Sequence, residues 1–141
     1  MTRPAESYLF VYGTLRRDSQ HEMFHILAKH ATFVGEAGFC GRLFLVDDYP
    51  GAVVSGNTGD RVRGELYRLV DPDVVLNHLD EYEEVDPREP DSGLFRRTLH
   101  FVTLLDGTAV QAWVYLYNRP VAGLTPIPSG DFLKAGHTSA R

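Results

Sequence analysis

Residues 8–12, YLFVY, form an unbroken apolar, aromatic and β-branched run that stops at Gly13. That is the pattern of a strand buried on both faces and central in its sheet. From Ser19 to about His30, Met23, Phe24, Ile26 and Leu27 cluster on one helical face with Ser19 available as a cap, which predicts a helix after the first strand. Residues 32–36 and 39–46 read as two β segments. They lead into a turn-rich stretch, DDYPGAVVSGNTGD (47–60), after which VRGELYRLV (62–70) resumes a strand pattern. Asp71-Pro72 then opens a second helix that runs to about Glu83, with Asp71 as N-cap and Pro72 at the first helical position. Finally, LFRRTLHFVTLL and AVQAWVYLY flank Asp106-Gly107-Thr108, a strong hairpin signal. The pattern describes one strand-dominated α+β domain over residues 7–133 with two main helices, and ends (1–6 and 134–141) that are expected to fray.

Composition narrows the partners. The 141 residues are 43% hydrophobic and 23% charged, an ordinary globular balance for one domain. Net charge is −5 and the 14 Lys and Arg are scattered singly or in pairs such as Arg16-Arg17 and Arg96-Arg97, which argues against nucleic acid as a partner. No apolar run reaches membrane-spanning length, and the polar start MTRPAES lacks the apolar stretch of a signal peptide. A cytoplasmic location with no membrane partner is the expectation. The single cysteine, Cys40, cannot form an internal disulfide and, between Phe39 and Gly41, reads as a small core residue rather than a nucleophile.

The segment HEMFH (21–25) has the His-Glu-x-x-His spacing of zinc proteases, with His21 and His25 on one helical side and Glu22 placed to act on a bound water. A catalytic zinc needs a third protein ligand. His30 lies five residues past His25 with no glycine between, and Glu36 is too close to come from a second helix. Met23 and Phe24 suit a packed amphipathic helix, so no metal is expected and a zinc hydrolase is the least favoured reading.

A second carboxylate stands out. With about 100° per residue and Leu76 as origin, Val75, Leu79 and Glu83 fall at about 260°, 300° and 340°, so Glu83 lies inside the apolar stripe. Asp80, Glu84 and Glu81 fall at about 40°, 80° and 140° and read as solvent-facing charges. A carboxylate turned towards an apolar interior beside other acids has its pKa raised by desolvation and like-charge repulsion, which suits proton transfer near neutral pH. Periodicity alone leaves a second reading open, in which the helix ends earlier and Glu83 is solvated. Glu65, in GELY with Arg63 and Tyr67 on the same side of a strand, is a rival whose expected role is pairing with an adjacent arginine. At the other end, VYGTL (11–15) runs a buried strand into Gly13 and Thr14, where backbone N–H groups can form a nest for a carboxylate or oxyanion and Tyr12 and Thr14 add hydroxyls.

Tyr-Gly-Thr-Leu closing the first strand, then YPGAV, VRGELYRLV, LDEYE, LFRR, AWVYLYNRP and IPSGDF occur in that order between residues 7 and 133. Together they resemble the gamma-glutamylcyclotransferase-like superfamily, with its small bacterial members the nearest. The resemblance implies a small mixed β-barrel flanked by helices, no metal or organic cofactor, and a small-molecule γ-glutamyl substrate cyclised to 5-oxoproline with release of an amine or amino acid. It implies that Tyr12, Gly13, Thr14 and Leu15 form the loop whose N–H groups bind the glutamyl moiety, and that Glu83, following Leu-Asp-x-aromatic, is the catalytic acid and base. Tyr115 and Tyr117, which share a strand face with Trp113 by the period-2 rule, are expected to close the pocket; Trp113 equally suits a role in filling the barrel. Two departures from the family pattern are Glu84, where a glycine often follows the glutamate, and SGDF (129–132) in place of Ser-Gly-Asp-Trp. The same fold also admits a non-catalytic small-molecule-binding domain. Neither the leaving group nor the oligomeric state is encoded in these motifs.

Overall fold

A computed structural model describes residues 7–12, 27, 29–46, 49–57, 59–82, 85, 88 and 93–131, with backbone only at residue 82. Its strands are β1 (Tyr8–Val11), β2 (Ala31–Phe39), β3 (Gly41–Val46), β4 (Tyr49–Val54), β5 (Val62–Leu69), β6 (Phe95–Leu104), β7 (Ala109–Tyr117) and β8 (Thr125–Pro126). One helix, α1 (Pro72–Tyr82), lies between β5 and β6. Five strands close a barrel in the order β1-β5-β2-β6-β7, and the other three form a sheet in the order β4-β3-β8. The fold is therefore α+β, and the barrel is mixed because β1 runs parallel to β7 and antiparallel to β5.

β1 sits between two bonded neighbours, as its continuous apolar run requires. Leu9, Phe10 and Val11 are all buried, and alternation sends Phe10 into one core and Leu9 and Val11 into another. The first core fills the barrel with Phe10, Phe39, Leu66, Val102 and Val114 and joins it to the second sheet through Leu43, Ala52 and Ile127. The second lies on the outer wall of the barrel, where Leu9, Tyr67, Leu69, Phe95 and Tyr115 meet Val75, Leu76 and Leu79 of α1. Leu27, from the end of the first expected helix, is buried in this outer core, and Lys29 and His30 are helical.

α1 begins as its sequence implies. The Asp71 carbonyl accepts from Val75 N–H at 3.1 Å, the first intrahelical bond of an N-cap residue. Its carboxylate turns instead to His30 Nδ1, 3.2 Å away. The β6–β7 hairpin turns where expected: Gly107 has φ 90°, and Thr108 N–H donates to Asp106 Oδ1 at 2.9 Å.

Three expectations are corrected. The stretch 47–60 is not all turn, because Tyr49–Val54 is a strand paired along β3. Pro50 is tolerated there since β4 is an edge of its sheet, where a missing N–H costs no ladder bond. The two early β segments divide differently as well: β2 is continuous from Ala31 to Phe39 and the break falls at Cys40. Cys40 is consequently exposed rather than core, with its Sγ 3.6 Å and 3.5 Å from the carbonyls of Ser55 and Asn57.

Candidate active site

Asp80 stands in the last turn of α1 and is only 5% exposed, which corrects its assignment to solvent. Arg97 grips it with two hydrogen bonds, Nε to Oδ1 at 2.7 Å and Nη2 to Oδ2 at 3.0 Å. Tyr115 Oη donates to the same Oδ1 at 2.7 Å. Arg97 and Tyr115 face each other across β6 and β7, so a cross-strand pair on the outer wall rises to meet one helix carboxylate. Burial lowers the pKa of Arg97, but the hydrogen bond and charge of Asp80, with a contribution from Tyr115, outweigh it and hold the guanidinium above its ordinary range. The Arg97 guanidinium also lies 4.5 Å from the centroid of the Trp113 ring, a cation–π contact that fixes its plane. Trp113 thus lies outside the barrel, partly buried against the outer core, and does not fill the barrel.

Tyr115 faces two ways. While its hydroxyl holds Asp80, its main-chain carbonyl accepts from Tyr12 Oη at 2.5 Å, and Tyr12 Oη in turn accepts from Ala52 N–H at 3.2 Å. The backbone of Asp80 is held too, since Val85 N–H donates to its carbonyl at 2.8 Å. One residue of β7 therefore ties Tyr12, which directly follows β1, to Asp80 near the end of α1. Gly13, Thr14, Leu15 and Glu83 follow these two anchors in the chain and lie outside the described residues.

Tyr117, the third aromatic of the stripe, is half-buried and packs edge-on against Phe95, with ring centroids 5.8 Å apart. Phe95 also touches Tyr49 at 6.2 Å. β4 reaches this corner because Gly51 has no side chain: a Cβ there would lie 2.9 Å from Tyr117 Cβ. Tyr12 and Tyr115 thus spend hydroxyl bonds on the protein itself.

Glu65, the rival carboxylate, is 2% exposed and accepts from Tyr67 Oη at 3.1 Å. It pairs across the ladder with Val11, next to Tyr12. The HEMFH segment lies outside the described residues, and among the described residues no three His, Cys, Asp or Glu side chains gather in a way that could hold a metal ion.

Sequence reasoning missed Asp80, Arg97 and Tyr49. The hairpin carried a signal for the first two: a turn at 105–108 that pairs Thr103 with Ala109 also sets Arg97 opposite Tyr115, which places a cation under α1 in need of a carboxylate.

Residues 9–134 match the family described as gamma-glutamyl cyclotransferase, AIG2-like. The chain belongs to that family. A Citrobacter rodentium (strain ICC168) protein named gamma-glutamylcyclotransferase family protein ytfP is 33% identical over 128 residues, covering 89% of this chain and 94% of that protein. The solution structure of protein ytfP from Escherichia coli superposes with a TM-score of 0.62 at 30% identity, covering 92% of this chain and 99% of that one. An AIG2-like protein from Mus musculus gives a TM-score of 0.62 at 26% identity, with 80% and 78% covered. YkqA from Bacillus subtilis gives 0.68 at 26% identity over 91% of this chain, which spans 40% of that longer protein. The barrel and its flanking elements are those of the family. No helix among the described residues is long and apolar enough to cross a membrane.

Proposed function

We propose that this member of the family catalyses the intramolecular cyclisation of a γ-glutamyl amide or amine, with Glu83 as its acid and base. The substrate's α-ammonium loses a proton to the Glu83 carboxylate, and the free amine attacks the γ-carbonyl carbon. A tetrahedral oxyanion forms, the bond from that carbon to the leaving nitrogen breaks as Glu83 returns its proton to that nitrogen, and the ring nitrogen's second proton passes to the departing amine or amino acid, which leaves as an ammonium. The products are 5-oxoproline and the amine, and the step needs neither metal nor organic cofactor. Donors already in place stabilise the oxyanion at little reorganisation cost, the task given to the N–H groups of Gly13, Thr14 and Leu15. Ring closure needs the substrate held folded, and an aromatic wall that includes Tyr117 suits that purpose.

The observation that carries this reading is the double engagement of Tyr115. It binds Tyr12, the first residue of the loop, and Asp80, three positions before Glu83. A site assembled from two distant segments works only if those segments are locked together, and a buried link between their anchors supplies the lock. The test is a panel of γ-glutamyl amino acids, γ-glutamyl amines and glutathione, incubated with the protein and assayed for 5-oxoproline. Turnover of any member supports the reading. Saturable binding across the panel without turnover of any member would make this a binding domain of the same fold.

A further inference from the structure

At the Gly41 end of β3, opposite the Val46–Tyr49 end that approaches Tyr117, lies a cleft of about 470 Å³. Arg42, Arg61 and Arg63 line it, with Asp60 as the one acidic side chain. Three arginines lining one concavity of a chain whose net charge is −5 call for an explanation. None of the three forms an ion pair or hydrogen bond with a side chain among the described residues, and Asp60 is engaged by Ser55, whose Oγ donates to it at 2.6 Å.

The arginines are placed rather than merely present. Arg61 lies flat across β2 where Gly38 has no side chain: a Cβ on Gly38 would fall 2.7 Å from Arg61 Cδ and 2.9 Å from its Nη1. Arg63 stands directly opposite Gly38 in the β2–β5 register. Arg42 is held by Phe44, with its guanidinium carbon 5.0 Å from the ring centroid. The facing wall, residues 127–130, is pinned from both sides. Ile127 N–H donates to the Leu43 carbonyl at 2.7 Å, and Arg63 N–H to the Gly130 carbonyl at 2.7 Å. Gly130 has φ 68°, and a Cβ there would sit 1.9 Å from the Arg61 carbonyl oxygen, so only glycine lets this wall close on β5.

We infer that this cleft, whose lining shares no residue with the Tyr12–Tyr115–Asp80–Arg97 network, is a binding site for a small polyanion carrying phosphoryl or carboxylate groups. Guanidinium forks match both groups in a bidentate manner, and a cleft of this size suits a metabolite rather than a macromolecule. Placement by Gly38 and Phe44 reduces the ordering needed at the moment of binding.

Calorimetric titration of the full chain with inorganic pyrophosphate, and separately with citrate, tests the inference and distinguishes the two anion chemistries. A single saturable site for at least one of them is expected, weakening as salt rises. Each guanidinium removed should cost roughly tenfold in affinity or more, read in Arg61→Ala, Arg63→Ala and their double variant, with thermal melts verifying that the exposed substitutions leave the fold intact. Arg61→Lys keeps the charge but loses the fork, so an intermediate loss is expected. Absence of saturable binding to either anion overturns the inference, as does binding unchanged in the double variant. Full binding by Arg61→Lys would reduce the cleft to a diffuse cationic patch, and preference for a short oligonucleotide over both anions would make it a nucleic-acid contact; either result also overturns it.

Discussion

The barrel interior and the outer wall beneath α1 are built from the same strands and differ in what they bury. Alternate residues face the two ways: Phe10 and Val114 point in, and Leu9 and Tyr115 point out. The interior is closed by aliphatic and aromatic packing, with Leu66, Val102 and Val114 shielded from solvent. The outer wall mixes equally buried apolar residues with Asp80 and Glu65. Burying a carboxylate is costly unless it is paired and hydrogen-bonded. The wall meets that condition because a helix and two strands converge there, each bringing one partner: Asp80, Arg97 and Tyr115. The barrel supplies stability, and its surface supplies the polar anchors from which a site can be hung.

The strongest test of that division is Glu83→Gln. Glutamine keeps shape and hydrogen-bonding reach but cannot take a proton, so 5-oxoproline formation should fall by ~10²–10⁴ in kcat with little change in KM or in the melting curve. Glu84→Gln should retain most activity, and so should Glu65→Gln, although the latter removes a buried charge. If Glu65→Gln abolishes turnover while Glu83→Gln does not, the wall still carries the chemistry but at Glu65, beside Tyr12.

Next in size is the interior. Leu66→Ala should cost about 2–5 kcal/mol of stability, because a fully buried leucine leaves a cavity among neighbours that relax only partly. The turnover of the remaining folded fraction should be close to normal. Denaturant titration alongside kcat per folded molecule measures both, and a selective collapse of kcat at unchanged stability would erase the distinction between core and wall.

Much of the interior was legible in the sequence because its signals are local. The YLFVY run, the Asp71-Pro72 helix start and the Asp106-Gly107 turn each act through their own backbone preferences, and each lies where its pattern implied. The wall was less legible because its polar partners come from separate parts of the chain. Asp80 sits near the edge of its helical stripe, and Arg97 and Tyr115, brought together by strand pairing, account for its burial. Cys40 shows the same limit, since apolar neighbours imply burial but the break between β2 and β3 turns it outward. β4 was hidden by Pro50 and Gly51, residues that signal a turn locally but fit an edge strand pressed close to Tyr117. Of the residues expected to form the site, Tyr12, Tyr115 and Tyr117 are described, and the first two spend hydroxyl bonds on the protein itself.

The anchors should matter less than Glu83 but affect both stability and rate. Asp80→Asn removes the charge that Arg97 and Tyr115 converge on, at a cost of about 2–3 kcal/mol, tempered because Arg97 keeps some solvent contact. Tyr115→Phe deletes only the hydroxyl and leaves the carbonyl that receives Tyr12, so about 1 kcal/mol is expected. Both should lower kcat several-fold, because the helix end is no longer tied to the strand. Thermal melts paired with 5-oxoproline assays report the two effects. If both variants lose stability and keep full kcat, the network belongs with the barrel interior as a purely structural device.

The smallest expected effect lies on the barrel side. His100, on β6, packs edge-on against Phe39 with centroids 5.4 Å apart, and burial lowers its pKa below the ordinary 6.5. Because the unfolded chain holds this proton at higher pH than the folded one, the unfolded state binds more protons in the window between the two pKa values, and stability there rises with pH. Cooling the comparison to one residue, stability should be lost as pH falls through about 6.5 and should stop changing once the folded histidine is itself protonated. The other titrating groups contribute to the same curve, so the informative quantity is the difference between the unmodified chain and His100→Phe. Denaturation midpoints from pH 7.5 down to 5.5, set on either side of the ordinary histidine pKa of about 6.5, should converge as pH rises if the substitution only removes this proton. A parallel pair of curves would mean that His100 titrates alike in the folded and unfolded chains, and that the packing against Phe39 leaves it as accessible as a surface histidine.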